Sequence, residues 1–223
     1  MQNLPILTLS DLKREATSYA NALSEQPISK LYGMTDGKAI GTYVETQFRE
    51  FLVNRYEFLL GNVALGIDFP SLITDIKVTS INKPQSSCPY RDAGQKVYGL
   101  GYHLLVMVYS KFDDAIHRAA KLKIEHLLFI PASHTADYQT TSGILGILSR
   151  GGNIEDIEAF LDERNLPLDD IGRTLLAERI LANPPQQGYL TVSNALQWRL
   201  QYGRAIELAV NGGITALENL LAQ

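Results

Sequence analysis

Apolar residues along this chain change period several times, and each change marks an element. Residues 10 to 25 carry a helical pattern with Ser10 placed to cap it. Residues 36 to 59 carry a longer one: Ile40, Tyr43, Val44, Phe48, Phe51 and Leu52 recur at helical spacing, Thr35 or Asp36 can cap its start, and Gly61 follows as a stop. The period then shortens. Val63 to Asp68 is brief and apolar, and "FPS" supplies a turn. In "ITDIKVT", Thr74, Ile76 and Val78 fall on one face and Asp75, Lys77 and Thr79 on the other, a half-buried strand at period two. Residues 82 to 90, "NKPQSSCPY", read as a polar loop, and 91 to 98 as a short helix ended by "GLG". "YHLLVMVY" (102 to 109) and "EHLLFIP" (125 to 131) read as buried strands with a helix near 113 to 122 between them. Beyond Pro131 the pattern is almost all helical, broken by "ILANPPQQGY" (180 to 189); "NALQWRLQYGRAIELAV" (194 to 210) reads as an amphipathic helix in which Trp198 serves core or interface.

The fold class this order predicts is α/β, a mixed central β-sheet flanked by helices with a C-terminal helical extension. Two regions follow: residues 1 to 131, a core with N-terminal helices, and residues 132 to 223, a mainly helical extension serving recognition or dimerisation. With 223 residues and 45% hydrophobic content the chain can build a substantial core. The lone Cys88 excludes a disulfide scaffold and suits a reducing compartment. No apolar run approaches the length of a membrane span and the start does not resemble a signal peptide, so a cytoplasmic protein without a membrane partner is expected.

The net charge of −4 argues against a nucleic-acid partner until its distribution is considered. Residues 76 to 100 hold Lys77, Lys83, Arg91 and Lys96 against Asp92, a net of +3, whereas residues 153 to 170 hold seven acids against Arg164, a net of −6. An anionic partner should meet the middle of the chain, and the acidic helices from 153 to 180 should be structural or a dimer surface.

Asp75 and Lys77 share a face only on a strand; in a helix they would stand roughly 200° apart. Asp68, on the preceding arm of a tight hairpin, can bring its carboxylate towards Asp75. Two converging carboxylates repel unless a cation joins them. Mg²⁺ takes oxygen ligands of this kind and keeps water in its remaining positions. An adjacent lysine can orient a metal-bound water as its ammonium, or deprotonate it as its neutral amine, and can balance charge developing on a phosphate, which is the chemistry of metal-assisted phosphodiester hydrolysis.

The pattern of Asp68, six residues, then Asp75-Ile76-Lys77 resembles the PD-(D/E)xK nuclease superfamily, which includes type II restriction endonucleases. "DIKVTS" is similar to the acid-x-Lys strand of blunt-cutting restriction enzymes, the short spacing to that of the mismatch-repair endonuclease MutH, and "GKAIGTYVETQFREFL" to the family's first helix, which often bears an acid near the metal. The likeness covers residues 36 to 131. It departs from the pattern at the first acid, since Ile67 precedes Asp68 and Pro70 follows it.

The resemblance implies Asp68, Asp75 and the Ile76 backbone carbonyl as ligands of Mg²⁺, with Mn²⁺ as a substitute. It implies Lys77 as the catalytic lysine and Glu45 as an auxiliary acid holding a second metal or a water. It further implies a homodimer on double-stranded DNA, no nucleotide cofactor, and products with 5′-phosphate and 3′-hydroxyl ends.

Each residue has a plainer reading. Asp75 and Lys77 could be a surface ion pair, and Glu45 could pair with Arg49 one helical turn on. Lys83, Arg91 and Lys96 could touch phosphates or be ordinary surface cations. Gln139, Thr140 and Thr141, within "SHTADYQTTSG" (133 to 143), could read base edges or form a polar loop. Gln95 and Tyr98 resemble a glutamine-tyrosine element of some nucleases, at short spacing. His103, His117, His126 and His134 lack metal-ligand spacing, and Cys88 reads as inert. A site-specific restriction endonuclease therefore stands beside a repair nickase, a junction nuclease and a non-catalytic DNA-binding module.

Overall fold

The computed structural model describes residues 4–59, 61, 66–88, 91–193, 198–212 and 216–221. Helix α1 (Leu9–Glu25) begins two residues earlier than a cap at Ser10 suggests. Thr8 caps it by accepting from the Asp11 N–H, and the Asp11 carboxylate accepts in return from the Thr8 N–H. Helix α2 (Gly37–Val53) starts at Asp36, whose side chain accepts from the Lys38 N–H. It stops well short of Gly61, because Asn54 and Arg55 turn back and donate to the Glu50 and Phe51 carbonyls.

The central sheet has the order β1-β3-β4-β7: β1 (Thr74–Ser80), β3 (His103–Asp114), β4 (Ala119–Ile130) and β7 (Glu218–Asn219). β1 runs parallel to β3 and the other pairs are antiparallel, so the sheet is mixed, as the sequence order predicts. The parallel pair needs a crossover, which contains β2 (Gln85–Cys88) and the one-turn helix α3 (Gln95–Tyr98). Helices α1 and α2 cover one face of the sheet through Ile40, Val44 and Phe48 against Ile76, Leu105 and Met107. The other face is covered by a second sheet, of order β2-β6-β5, with β5 (Thr191–Val192) and β6 (Trp198–Gln201), and by α7 (Gly203–Asn211). Helices α4 (Tyr138–Ser149), α5 (Ile154–Glu163) and α6 (Asp170–Ala182) form a separate cluster around Ile144, Ile157, Leu161 and Ile180. Among the described residues no helix is long and apolar enough to cross a membrane.

Four expectations are corrected. The helix near 113 to 122 is instead a β-hairpin. Asp114 Oδ1 accepts from the Ile116 and His117 N–H groups, Arg118 takes a left-handed φ of 48°, and β4 alternates Ala120, Leu122 and Ile124 inward with Lys121 and Lys123 outward. The loop 82 to 90 contains β2, tied to β1 where Thr79 Oγ1 meets the Gln85 amide at 3.0 Å. The helix 194 to 210 is a strand followed by the shorter α7, and residues 194–197 and the Trp198 side chain lie outside the described set. Of the strand expected at 63 to 68, residues 63–65 also lie outside it, and Ile67 and Asp68 are not in a strand. The hairpin survives as a single bridge, Phe69 to Thr74, around the turn at Pro70–Leu72, with Ile73 at a left-handed φ of 48°.

Gly41 sets how closely α2 lies on β1. A Cβ there would sit 3.5 Å from the Val78 carbonyl oxygen, an ordinary contact. Gly41→Ala should therefore be tolerated and raise stability by up to about 1 kcal/mol through helix propensity. Gly41→Leu should cost about 1–3 kcal/mol by lifting α2 from the sheet. Urea denaturation of both variants checks this; a Leu variant as stable as the parent would contradict the packing.

Candidate active site

β1 carries the predicted face assignment but not the predicted exposure. Ile76 and Val78 face the helices, and Asp75, Lys77 and Thr79 the opposite side. That polar side is enclosed: Asp75 is 4% exposed and Thr79 5%. A surface ion pair does not account for a carboxylate at this depth, because removing it from water is costly unless the fold compensates.

The compensation comes from four groups brought together by three elements. Lys77 Nζ, from the same face of β1, lies 2.6 Å from Asp75 Oδ2. The loop before the Pro70–Leu72 turn delivers Asp68, whose Oδ2 accepts from the Ile76 N–H at 2.9 Å. Helix α2 delivers Glu45 and Arg49. Arg49 donates through Nη2 to Asp68 Oδ1, so the Glu45–Arg49 pair expected on the helix is not formed among the described residues.

The carboxyls settle at different affinities for a proton. Burial pushes Asp75 up to about 7, Asp68 adds to this, and Lys77 opposes it. Burial acts on Asp68 in the same sense, but its hydrogen bonds with Asp75, the Ile76 amide and Arg49 outweigh it and hold Asp68 below the usual carboxylate range. Burial, then Asp68, raise Glu45 to about 6 against Lys77 and Arg49. Burial works against the charge on Lys77, yet Asp75, Asp68 and Glu45 together raise its proton affinity. Acids whose environments drive their proton affinities apart mark a site built for chemistry more often than for stability.

A consequence concerns the ion-free protein. Asp75 holds its proton to about pH 7 when folded and releases it near the ordinary 3.8 when unfolded. Between those values the folded state binds more proton, so stability falls as pH rises through this window and the loss is complete above it. In chelator, denaturant midpoints of the parent should fall from pH 5 to pH 8, and Asp75→Asn should flatten that slope. Identical slopes would contradict the burial of an ionisable Asp75.

The donor set suits a hard cation. Asp75 Oδ2 is buried and receives no well-directed hydrogen bond despite its contact with Lys77. A second carboxylate, that of Asp68, is hydrogen-bonded with Asp75, and Ile76, the next residue along β1, donates its N–H to Asp68 Oδ2. Among the described residues no three His, Cys, Asp or Glu side chains gather closely enough to hold a metal by themselves. A pair of carboxylates and a carbonyl would leave positions for water and a phosphate oxygen, as Mg²⁺ prefers.

The remaining predicted residues divide. Arg91 approaches the site: its Nη2 lies 3.8 Å from where a Cβ on Gly66 would stand, two residues before Asp68. Lys83 is exposed in the turn after β1, and Gln139 is exposed at the start of α4, accepting from Arg164 Nη2 at 2.9 Å. Three others lie inside the protein and are not presented to a ligand. Lys96 is 2% exposed; burial lowers its proton affinity against the opposing charge of Asp137. Thr140 and Thr141 are fully buried. Thr140 binds the Asp137 carboxylate that caps α4, while Thr141 accepts from Gln187 and the Gly188 amide. Tyr98 donates to the Asn183 carbonyl at the end of α6. Arg49 also departs from expectation, pairing with Asp68. Its spacing from Glu45 put it on the right face of α2 but named the wrong acid.

Asp75 and Lys77 on one face of β1, with Asp68 delivered beside them by a loop, form the arrangement expected of a restriction-type nuclease, and the comparisons with known proteins show that class. Residues 6–216 match the family model described as "Type II restriction enzyme NspV". Over 206 residues the chain is 54% identical to "Type II restriction enzyme NspV" from Nostoc sp. (strain ATCC 29411 / PCC 7524), spanning 92% of this chain and 94% of that protein. No solved structure matches. The chain belongs to the NspV family of type II restriction enzymes.

Proposed function

We propose that this protein is a Mg²⁺-dependent endonuclease that hydrolyses double-stranded DNA at a specific sequence, leaving 5′-phosphate and 3′-hydroxyl ends. The observation that carries the reading is the gathering of Asp68 and Lys77 around the buried Asp75, in a chain of restriction-enzyme family. Asp68, Asp75 and the Ile76 carbonyl would hold Mg²⁺, or Mn²⁺ in its place. The ion, when bound, supplies charge neutralisation at the scissile phosphate and a lowered water pKa.

Lys77 then orients the attacking water through its ammonium and balances charge as the phosphorus gains a fifth oxygen. Water adds in line, the P–O3′ bond breaks, and the departing O3′ takes up a proton from solvent. Glu45, raised to about 6 and within the field of Lys77, would accept the water's proton or steady a second ion. Arg91, Lys83 and Gln139 are the exposed polar groups proposed to meet DNA. A homodimer would present two such sites to a palindromic duplex.

The test is digestion of long unmethylated duplex DNA with Mg²⁺, beside a chelator control and Asp75→Ala. Discrete fragments lost in both controls support the reading. Intact DNA under all conditions, together with no Mg²⁺ binding, overturns it.

A further inference from the structure

A carboxylate that is to ligate a cation has to offer an oxygen not already saturated. Both oxygens of Asp68 are engaged, and the two bonds differ in kind. Oδ2 accepts from the Ile76 amide, which is fixed within β1. Oδ1 accepts from Arg49, whose side chain stands on a flexible stem at the surface of α2 and is 36% exposed. A groove of about 280 Å³, lined by Thr46, Arg49, Glu50, Val53 and Asn54, opens beside it and gives the guanidinium room to move.

Charge supplies the direction of that movement. With Glu45, Asp68 and Asp75 ionised, Lys77 and Arg49 leave the cluster at −1. A divalent cation takes it to +1, where a second cation held on Asp68 is redundant. A phosphodiester then returns the site to neutrality, provided both Lys77 and Arg49 stay within it. The planar guanidinium fits two phosphate oxygens as well as it fits a carboxylate.

We propose that Arg49 is an exchangeable counter-ion: it occupies Asp68 Oδ1 in the ion-free enzyme, yields that oxygen to the entering divalent cation, and transfers its guanidinium to a DNA phosphate. This rests on the ion-binding reading of Asp68 given above. Arg49 thus neutralises Asp68 while the ion is absent and adds a phosphate contact only after the ion is in place.

Calorimetric titration of Mn²⁺ into the DNA-free protein tests the first half, with parent, Arg49→Gln, Arg49→Lys and Asp68→Asn. Arg49→Gln should bind the ion about two- to fivefold tighter, since a competing half-exposed ion pair of ordinary strength has gone. Equal or weaker binding overturns the exchange and makes Arg49 a support for Asp68. The second half is read from DNA affinity against salt with Ca²⁺ present. Removing one phosphate contact should reduce the slope by about 0.9, and Arg49→Lys should restore it; an unchanged slope overturns the transfer to phosphate. If parent and Asp68→Asn bind Mn²⁺ alike, the ion-binding reading itself fails and Arg49 falls with it. Thermal melting shows whether each variant is folded, and the Lys variant keeps the charge should Gln fail to fold.

Discussion

Asp75→Asn is expected to slow DNA cleavage by about 10³-fold or more while leaving the fold intact. Asn has the same shape as Asp and can still accept from Lys77, so the enclosed face of β1 keeps its packing. What is lost is the charge that, with Asp68, would hold the cation. Ion stabilisation of a developing phosphorane is worth several kcal/mol, and each 1.36 kcal/mol is tenfold in rate. Single-turnover cleavage of a plasmid at saturating enzyme measures the chemical step without the complication of product release. Two readouts should move together: the cleavage rate and the Mn²⁺ affinity. A variant that cuts within tenfold of the parent would remove Asp75 from the catalytic cluster and return it to the role of a buried ion-pair partner.

Lys77→Met is expected to cost about 10²–10³-fold in cleavage, the range for removing one preorganised charged donor from a site of developing negative charge. Its signature differs from that of Asp75→Asn. Met preserves the length of the stem and removes only the ammonium that lies 2.6 Å from Asp75. The carboxylates remain, and losing a neighbouring positive charge favours a cation beside them. Lys77→Met should therefore bind Mn²⁺ at least as tightly as the parent and still fail to cut. A variant that loses ion binding along with activity would show that Lys77 acts by holding Asp75 in place and not on the water. Taken together, the two substitutions separate the holding of the ion from the chemistry.

Much of this site could be read from the sequence because its chemistry lies in a short stretch. The face shared by Asp75 and Lys77 follows from strand geometry alone, and "FPS" announced the turn that brings Asp68 back. What local pattern could not supply was enclosure. Nothing within "ITDIKVT" says that the polar side of the strand is covered, because the cover comes from β2 and from residues around 200, far along the chain. The same limit explains the misread hairpin. "DDAIHRAAKL" is rich in alanine and favours a helix locally, yet pairing with β3 makes its neighbour β4 a strand. Thr140 and Thr141 looked like base-reading groups by composition and are instead the buried start of α4. Arg49 was visible on the helix, but which acid it meets depends on a loop that sequence spacing does not place.

Asp68 and Asp75 are proposed to converge on a divalent cation within reach of Lys77. Anomalous scattering from a crystal of the parent protein soaked in Mn²⁺ tests this most directly. One strong peak is expected between the Asp68 and Asp75 carboxylates, within bonding distance of the Ile76 carbonyl, with Arg49 displaced from Asp68. Full-occupancy peaks only elsewhere on the protein, with the Asp68–Arg49 and Asp75–Lys77 contacts intact, would contradict it.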